Sequence, residues 1–211
     1  PGQRIIIIEA IAQAALPGQA GTQRPSGARE MRGCRYQSVF EYPERHVPAL
    51  IASAPHYLYG FPSYFEALAR LWDASLRRRI PLRALMTSGE WVYPAARARL
   101  ERTFGVPVLD VYGSTEFKEI AWQCPGESGY HMNMESVVVE IVDEEGRAAS
   151  PGEAGDVVVT SLTNRAMPLI RYATGDRARR LGGRCRCGRG LERLECVEGR
   201  VADYLRTPDA G

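Results

Sequence analysis

The chain has 211 residues, 45% of them hydrophobic and 25% charged, with a formal net charge of +2. This is globular composition, with apolar mass enough for one large domain or two small ones. It holds no apolar run of the roughly 18 residues that a membrane helix needs. A charge of +2 is too small to point to nucleic acid or to an anionic membrane surface. Of the 27 basic residues, all but Lys118 are arginine, so lysine chemistry has one candidate. The five cysteines (Cys34, Cys124, Cys185, Cys187, Cys196) are an odd, scattered set. They make a poor disulfide framework and fit free or metal-bound thiols in a reducing cytoplasm.

In chain order, Arg4 to Ile8 reads as a short buried strand, and residues 17 to 35, rich in Gly, Pro, Ser and Arg, as a loop. Val47 to Ser53 reads as helical, Tyr57 to Tyr59 as a strand ending at Gly60. Pro62 opens an amphipathic helix that carries Tyr64, Phe65, Leu68, Leu71 and Trp72 at helical spacing. Leu82 to Met86 is a strand, Pro94 to Phe104 a helix, and Val106 to Val111 another strand. Strands alternating with helices imply parallel βαβ units. After residue 135 the pattern changes to strands alone, at Val137 to Val142, Asp156 to Ser161 and Leu169 to Tyr172. The fold class is therefore α/β: a partial parallel βαβ layer over residues 1–130, then an antiparallel β subdomain or small barrel over 131–211.

In an open parallel sheet, ligands bind beyond the carboxyl ends of the strands. One strand here runs into Thr87-Ser88-Gly89-Glu90, another into Tyr112-Gly113-Ser114-Thr115-Glu116. The second turn offers an aromatic face, a glycine, two hydroxyls and a carboxylate, a set suited to a base, phosphate oxygens and Mg²⁺. A third element, Met167 to Asp176, ends in an Asp able to accept from ribose hydroxyls. Each of these alone is also ordinary turn chemistry.

Together and in this order, these segments resemble the adenylate-forming enzymes, and most closely the phenylacetate–CoA ligase branch with coenzyme F390 synthetase and CapK-like proteins. The likeness is carried further by Gly129-Tyr130-His131, Ala166 to Asp176, Cys185-Arg186-Cys187-Gly188-Arg189 and Gly199-Arg200, and spans roughly residues 47–209. The resemblance implies an ATP-dependent ligase. It would form acyl-AMP from a carboxylic acid, aryl or arylacetic, and pass the acyl group to coenzyme A. It further implies that Gly89 and Glu90 line the adenine pocket, that Ser88, Gly113 and Ser114 are nucleotide-binding, and that Tyr112 packs on the base. Thr115 would bond the α-phosphate, Glu116 ligate Mg²⁺, Asp176 bind the ribose, and Arg200 sit at a hinge. Three departures from the family pattern stand out. Pro17 to Gly27 lacks the Ser/Thr/Gly-rich phosphate-loop pattern, and the sequence given stops at Gly211, short of the family's lysine-bearing C-terminal domain. The position two after Arg200, usually Asp or Lys, is Ala202, then Asp203. The chain as given is thus expected to be the middle of such an enzyme, inactive by itself. Adenylyl transfer onto a coenzyme and a non-catalytic nucleotide- or zinc-binding module are the alternative readings.

Cys185-x-Cys187-Gly188 is a turn whose two thiolates can meet one ion, and Cys124 and His131 lie seven apart upstream, in what reads as a Pro/Gly-rich loop. Together they suit a structural Cys₃His zinc site, provided the fold joins the two halves. Unpaired thiols and a surface histidine are the alternative reading; Cys196 reads as core and is the reserve ligand.

Overall fold

Among the described residues, three of the four helices open on a proline, and that choice spaces the first half of the chain. The computed structural model describes residues 3–9, 34–125 and 127–198. Pro17 to Gly27, Arg200, Ala202 and Asp203 lie outside the described residues, as does the side chain of Cys196. The chain divides into two units, Pro1–Val108 and Leu109–Gly211. This division comes before residue 130, because antiparallel pairing already starts with the first hairpin after Val108.

The first unit runs β1 (Ile5–Glu9), β2 (Cys34–Ser38), α1 (Pro43–Ser53), β3 (Tyr57–Gly60), α2 (Pro62–Ala69), α3 (Ala74–Arg79), β4 (Ala84–Thr87) and α4 (Pro94–Phe104). Its strands pair in parallel in the order β2-β1-β3-β4. The register aligns Ile6, Leu58 and Leu85 as one row of buried side chains across three strands. Pro43, Pro62 and Pro94 each occupy the first turn of a helix, where the missing N–H costs nothing and the fixed φ suits the helix. The expected helix from Pro62 through Trp72 is shorter than the apolar spacing suggested. It tightens after Ala69 into bonds three residues back (Leu71 N to Leu68 O, 3.0 Å; Trp72 N to Ala69 O, 3.3 Å). Asp73 then opens α3 by accepting a hydrogen bond from the Leu76 amide at 2.8 Å. That cap competes with continuation of α2.

Phe65, Leu100 and Phe104 are fully buried, with the Phe65 and Phe104 rings edge-on at 6.4 Å and Trp72 against Phe104 at 4.6 Å. α1 is tied to α2 by a polar contact within this core. The buried His46 bonds the Tyr64 hydroxyl through Nδ1 and Glu41 through Nε2 (3.2 Å). Burial, then the charges of Glu44 and Glu41, push the Tyr64 phenol well above its ordinary range, so it stays protonated as a donor.

The second unit's strands are β5 (Val108–Ser114), β6 (Lys118–Cys124), β7 (Glu127–Met132), β8 (Val137–Val142), β9 (Ala154–Ser161), β10 (Tyr172–Leu181) and β11 (Arg193–Glu198). All pair antiparallel, in the order β5-β6-β7-β11-β10-β9-β8. Ile120, Met132, Val139, Ile141, Val157, Val159 and Leu194 fill its core. Three expectations are corrected here. Tyr112, Gly113 and Ser114 continue strand β5 rather than forming the turn, which is confined to Thr115–Phe117. Gly113 makes this possible, because a Cβ there would sit 2.2 Å from the Lys118 carbonyl oxygen. Gly129 to His131 belong to strand β7, paired to β6 and β11, not to a loop. Asp176 lies inside β10, which starts at Tyr172 where the expected strand ended, at an irregularity between Ala173 and Arg177.

Among the described residues, no helix is long and apolar enough to cross a membrane.

Truncating Phe65 to alanine removes the ring that α2 sets against Phe104, and it should cost about 3–5 kcal/mol of unfolding free energy. Urea denaturation of the purified chain measures it; a loss below about 1 kcal/mol would mean that α2 and α4 do not share a packed core.

Candidate functional site

Tyr112 and Asp176 are sixty-four residues apart and meet. The Tyr112 hydroxyl donates to Asp176 Oδ2 at 2.6 Å and lies 3.4 Å from Thr174 Oγ1. Thr174 in turn accepts from the Asp176 amide at 3.2 Å and donates to the Val157 carbonyl at 3.1 Å. This local hydroxyl-to-backbone bonding holds the irregularity in β10 at Gly175, whose φ of +80° favours glycine. Asp176 is half-buried. Thr115 and Glu116 are exposed on the turn that follows Ser114, and the Ser114 hydroxyl accepts from the Phe117 amide at 3.4 Å. The arrangement offers an aromatic ring, a fixed carboxylate, a hydroxyl and a second carboxylate, the functional groups that a nucleotide's base, ribose and phosphates require.

Ser88, Gly89 and Glu90 follow β4 in the first unit. The Ser88 amide donates to the Gly60 carbonyl at 3.1 Å. Gly89 has φ +82°, and a Cβ there would meet the Phe61 ring at 2.7 Å. Glu90 has a structural job that its sequence context does not announce. Its carboxylate accepts from the Ser63 amide at 2.9 Å and the Ser63 hydroxyl at 2.7 Å. α2 begins Phe61-Pro62 with no capping side chain of its own, so Glu90 satisfies an orphan amide and places negative charge at the positive end of that helix.

Cys124, His131, Cys185 and Cys187 converge. Their ligand atoms all lie within 4.8 Å of one another. Cys124 Sγ is 3.7 Å from Cys185 Sγ, and Cys187 Sγ is 3.4 Å from His131 Nε2. Tetrahedral ligands at ~2.3 Å (sulfur) and ~2.0–2.1 Å (nitrogen) stand about 3.8 Å apart between sulfurs and about 3.5 Å between sulfur and nitrogen. The donors therefore fit one such ion. Cys124 ends β6, His131 sits in β7 beside Arg193 of β11, and the two remaining cysteines are in the connection between β10 and β11. His131 is fully buried and its Nδ1 has no hydrogen-bond partner among the described residues. The thiols are electrostatically unlike. The Arg189 amide leads in pulling Cys187 down to about 6, with hydrogen bonds from Cys185, the Arg189 side chain and Cys124 adding to it. Cys185 is pushed up: the Cys187 amide lowers it, but burial, hydrogen bonds to Cys187 and Cys124, and the charge of Cys124 outweigh that pull.

Sequence reasoning passed over three residues that the structure draws in. Thr174 has no role in the sequence pattern alone. Its spacing of two before an Asp is the signal of a hydroxyl–backbone turn. Asp110 and Tyr130 form a buried pair at 2.7 Å. Asp110 stands two residues before Tyr112 in the same strand, which puts both on one face, and that spacing was readable.

The AMP-binding enzyme family matches residues 35–164, more than half of the chain. The chain is 30% identical over 172 residues to the phenylacetate–coenzyme A ligase of Thermus thermophilus, a span that covers 77% of this chain and 38% of that one. It is 35% identical over 115 residues to the Escherichia coli phenylacetate–coenzyme A ligase, covering 53% and 26%. Among solved structures, an open conformation of 2-hydroxyisobutyryl-CoA ligase in complex with 2-HIB-AMP and CoA matches with a TM-score of 0.68 at 25% identity, over 82% of this chain and 44% of that one. The chain thus spans less than half the length of these relatives. With that family match over more than half of its length, the chain belongs to the AMP-binding enzymes.

Proposed function

We propose that this chain is part of an AMP-forming acid–thiol ligase. The whole enzyme would join a carboxylic acid, aryl or arylacetic, to the α-phosphate of ATP, releasing pyrophosphate. It would then pass the acyl group from acyl-AMP to the thiol of coenzyme A, releasing AMP. The observation that carries the reading is the Tyr112–Thr174–Asp176 constellation, in a chain similar to phenylacetate–coenzyme A ligases. Asp176 accepts from the ribose hydroxyls while Tyr112 orients it and offers its ring to the base. Thr115 donates to an α-phosphate oxygen. Ser88, Gly89, Glu90, Gly113, Ser114 and Arg200 keep the nucleotide-binding role that the resemblance implies. The attacking carboxylate and the phosphates are all anionic, so donors and positive charge must offset the crowding. Mg²⁺, held by Glu116, supplies that charge when bound.

The same reading gives the Cys124, His131, Cys185 and Cys187 set to one structural Zn²⁺. Three sulfurs and one imidazole at these spacings suit zinc better than a hard, oxygen-seeking ion. Four protein ligands leave no open position for water, so its role is to staple the β10–β11 connection to β6 and β7. A cytoplasmic setting, where thiols stay reduced, suits the set.

Two experiments test this. In AMP titrations of the chain followed by calorimetry, Asp176→Ala should weaken binding by about 10- to 100-fold, the loss of hydrogen bonds to a charged group. Tyr112→Phe, which keeps the ring, should weaken it less. Equal affinity for AMP in wild type and Asp176→Ala would remove the nucleotide assignment. For zinc, elemental analysis of chain purified without chelator should give close to one Zn²⁺ per chain. Cys185→Ser should lose that metal and several degrees of thermal stability, because metal binding is coupled to folding. Metal content near zero in the wild-type chain would overturn the zinc reading.

A further inference from the structure

The carboxyl edge of the first unit's sheet carries the Ser88–Glu90 turn; the amino edge has a chemistry of its own. Arg4 stands immediately before β1, His56 before β3 and Arg83 before β4, and Arg35 is the second residue of β2, in register with Ile6. Nearly every strand of this parallel sheet therefore starts beside a basic group. Between β1, β2 and the end of α1 lies a cavity of about 310 Å³, with Arg4, Arg35, Cys34 and Ser53 in its walls and no carboxylate among its described lining residues. That volume falls at the lower end of the range for small-molecule sites.

Three features make this more than a solvated basic face. Arg4 is fixed: its Nε donates to the Ala54 carbonyl at 2.9 Å and its backbone amide to His56 Nδ1 at 3.1 Å. Ala54 holds a left-handed conformation, φ 43° and ψ 62°, that alanine disfavours. That turn presents the carbonyl that Arg4 holds. Ser53, the last residue of α1, is buried, and its hydroxyl has no hydrogen-bond partner among the described residues. Arg35 is exposed and has no ion-pair partner among them. The rim's potential is felt at His56, which desolvation first, and then the charges of Arg4 and Arg83, hold below its ordinary range.

We propose that this cavity binds a small multivalent phosphate, of the size of pyrophosphate or a compact phosphate ester. The Arg4 and Arg35 guanidiniums flank the anion, and the Ser53 hydroxyl donates to it. Guanidinium forks match phosphate oxygens in pairs, and charge-assisted bonds of this kind are the strong ones. The anion also satisfies a buried hydroxyl that otherwise stays unbonded. The site is separate from the residues assigned to the nucleotide above, and does not depend on that assignment.

The chain's three histidines, His46, His56 and His131, make the test direct. Only His56 stands at this rim; the other two are buried elsewhere. Pyrophosphate added to the 211-residue chain should shift the His56 ring-proton signals in NMR spectra, saturating with a Kd near or below about 1 mM. Arg35→Gln and Ser53→Ala should each weaken that binding, the former at least about fivefold. Asp176→Ala should leave it unchanged, which separates this site from nucleotide binding. Citrate, a tricarboxylate of comparable charge, should bind more weakly; equal binding would overturn the phosphate assignment. No saturable His56 shift up to about 10 mM pyrophosphate, or unchanged affinity in Arg35→Gln, would overturn the site itself.

Discussion

The 2.6 Å bond between Tyr112 and Asp176 is a constraint on the whole second unit. Tyr112 is on β5 and Asp176 on β10, with β6, β7 and β11 between them in the sheet. In a flat sheet, strands four places apart stand about 19 Å from each other, at roughly 4.8 Å per step, far beyond the reach of a tyrosine and an aspartate. The sheet must therefore curl until its β5 side faces β10. The contact of Phe117 with Tyr172 at 5.7 Å crosses the same gap. The twist of antiparallel strands supplies such curvature, and the irregularities at Tyr112/Gly113, Gln123/Cys124 and Ala173–Arg177 add to it. A curled sheet also encloses the core of Ile120, Met132, Val139 and Val159, with no covering helix among the described residues of this unit.

Curling has a consequence at the far end of the same strands. β6, β7 and β11 are neighbours, and the connection from β10 to β11 folds back over them. That brings two cysteines from one connection against a cysteine and a histidine from two strands. The Tyr130–Asp110 bond links the histidine's strand to the strand of Tyr112, so the cysteine–histidine cluster and the Tyr112 constellation share one rigid set of strands. The first unit works differently. Its parallel strands are buried under helices, and its polar contacts, Glu90 on Ser63 and His46 on Tyr64, serve to set helix positions.

Several elements could be read without coordinates because each is local. Pro94 to Phe104 has a proline start, a helical body and Gly105 in the left-handed closing position, and the structure gives that helix its expected bounds. Val137 to Val142 is a turn-bounded run of β-branched residues broken only by Glu140, and it is a strand. The segments around Tyr112 and Asp176 were legible as chemistry, since an aromatic, a glycine, hydroxyls and carboxylates in that order form a recognisable set. β7 was not legible. Glu127 to Met132 has no β-branched residue and includes a glycine, and it is a strand because β6 and β11 supply partners on both sides.

What the sequence determined by itself was the inventory: which helices start where, which residues carry sulfur, imidazole and carboxylate, and which family pattern they spell. Those properties depend on neighbours within a few positions, where backbone sterics and side-chain spacing act. Only the tertiary structure decided which members of the inventory meet. Tyr112 reaches Asp176 across three strands, Cys124 reaches Cys185 sixty-one residues on, and Glu90 caps a helix twenty-seven residues back. Each of those contacts depends on sheet curvature or strand order, which arise from cooperative packing of both cores and leave no mark on any single stretch of chain.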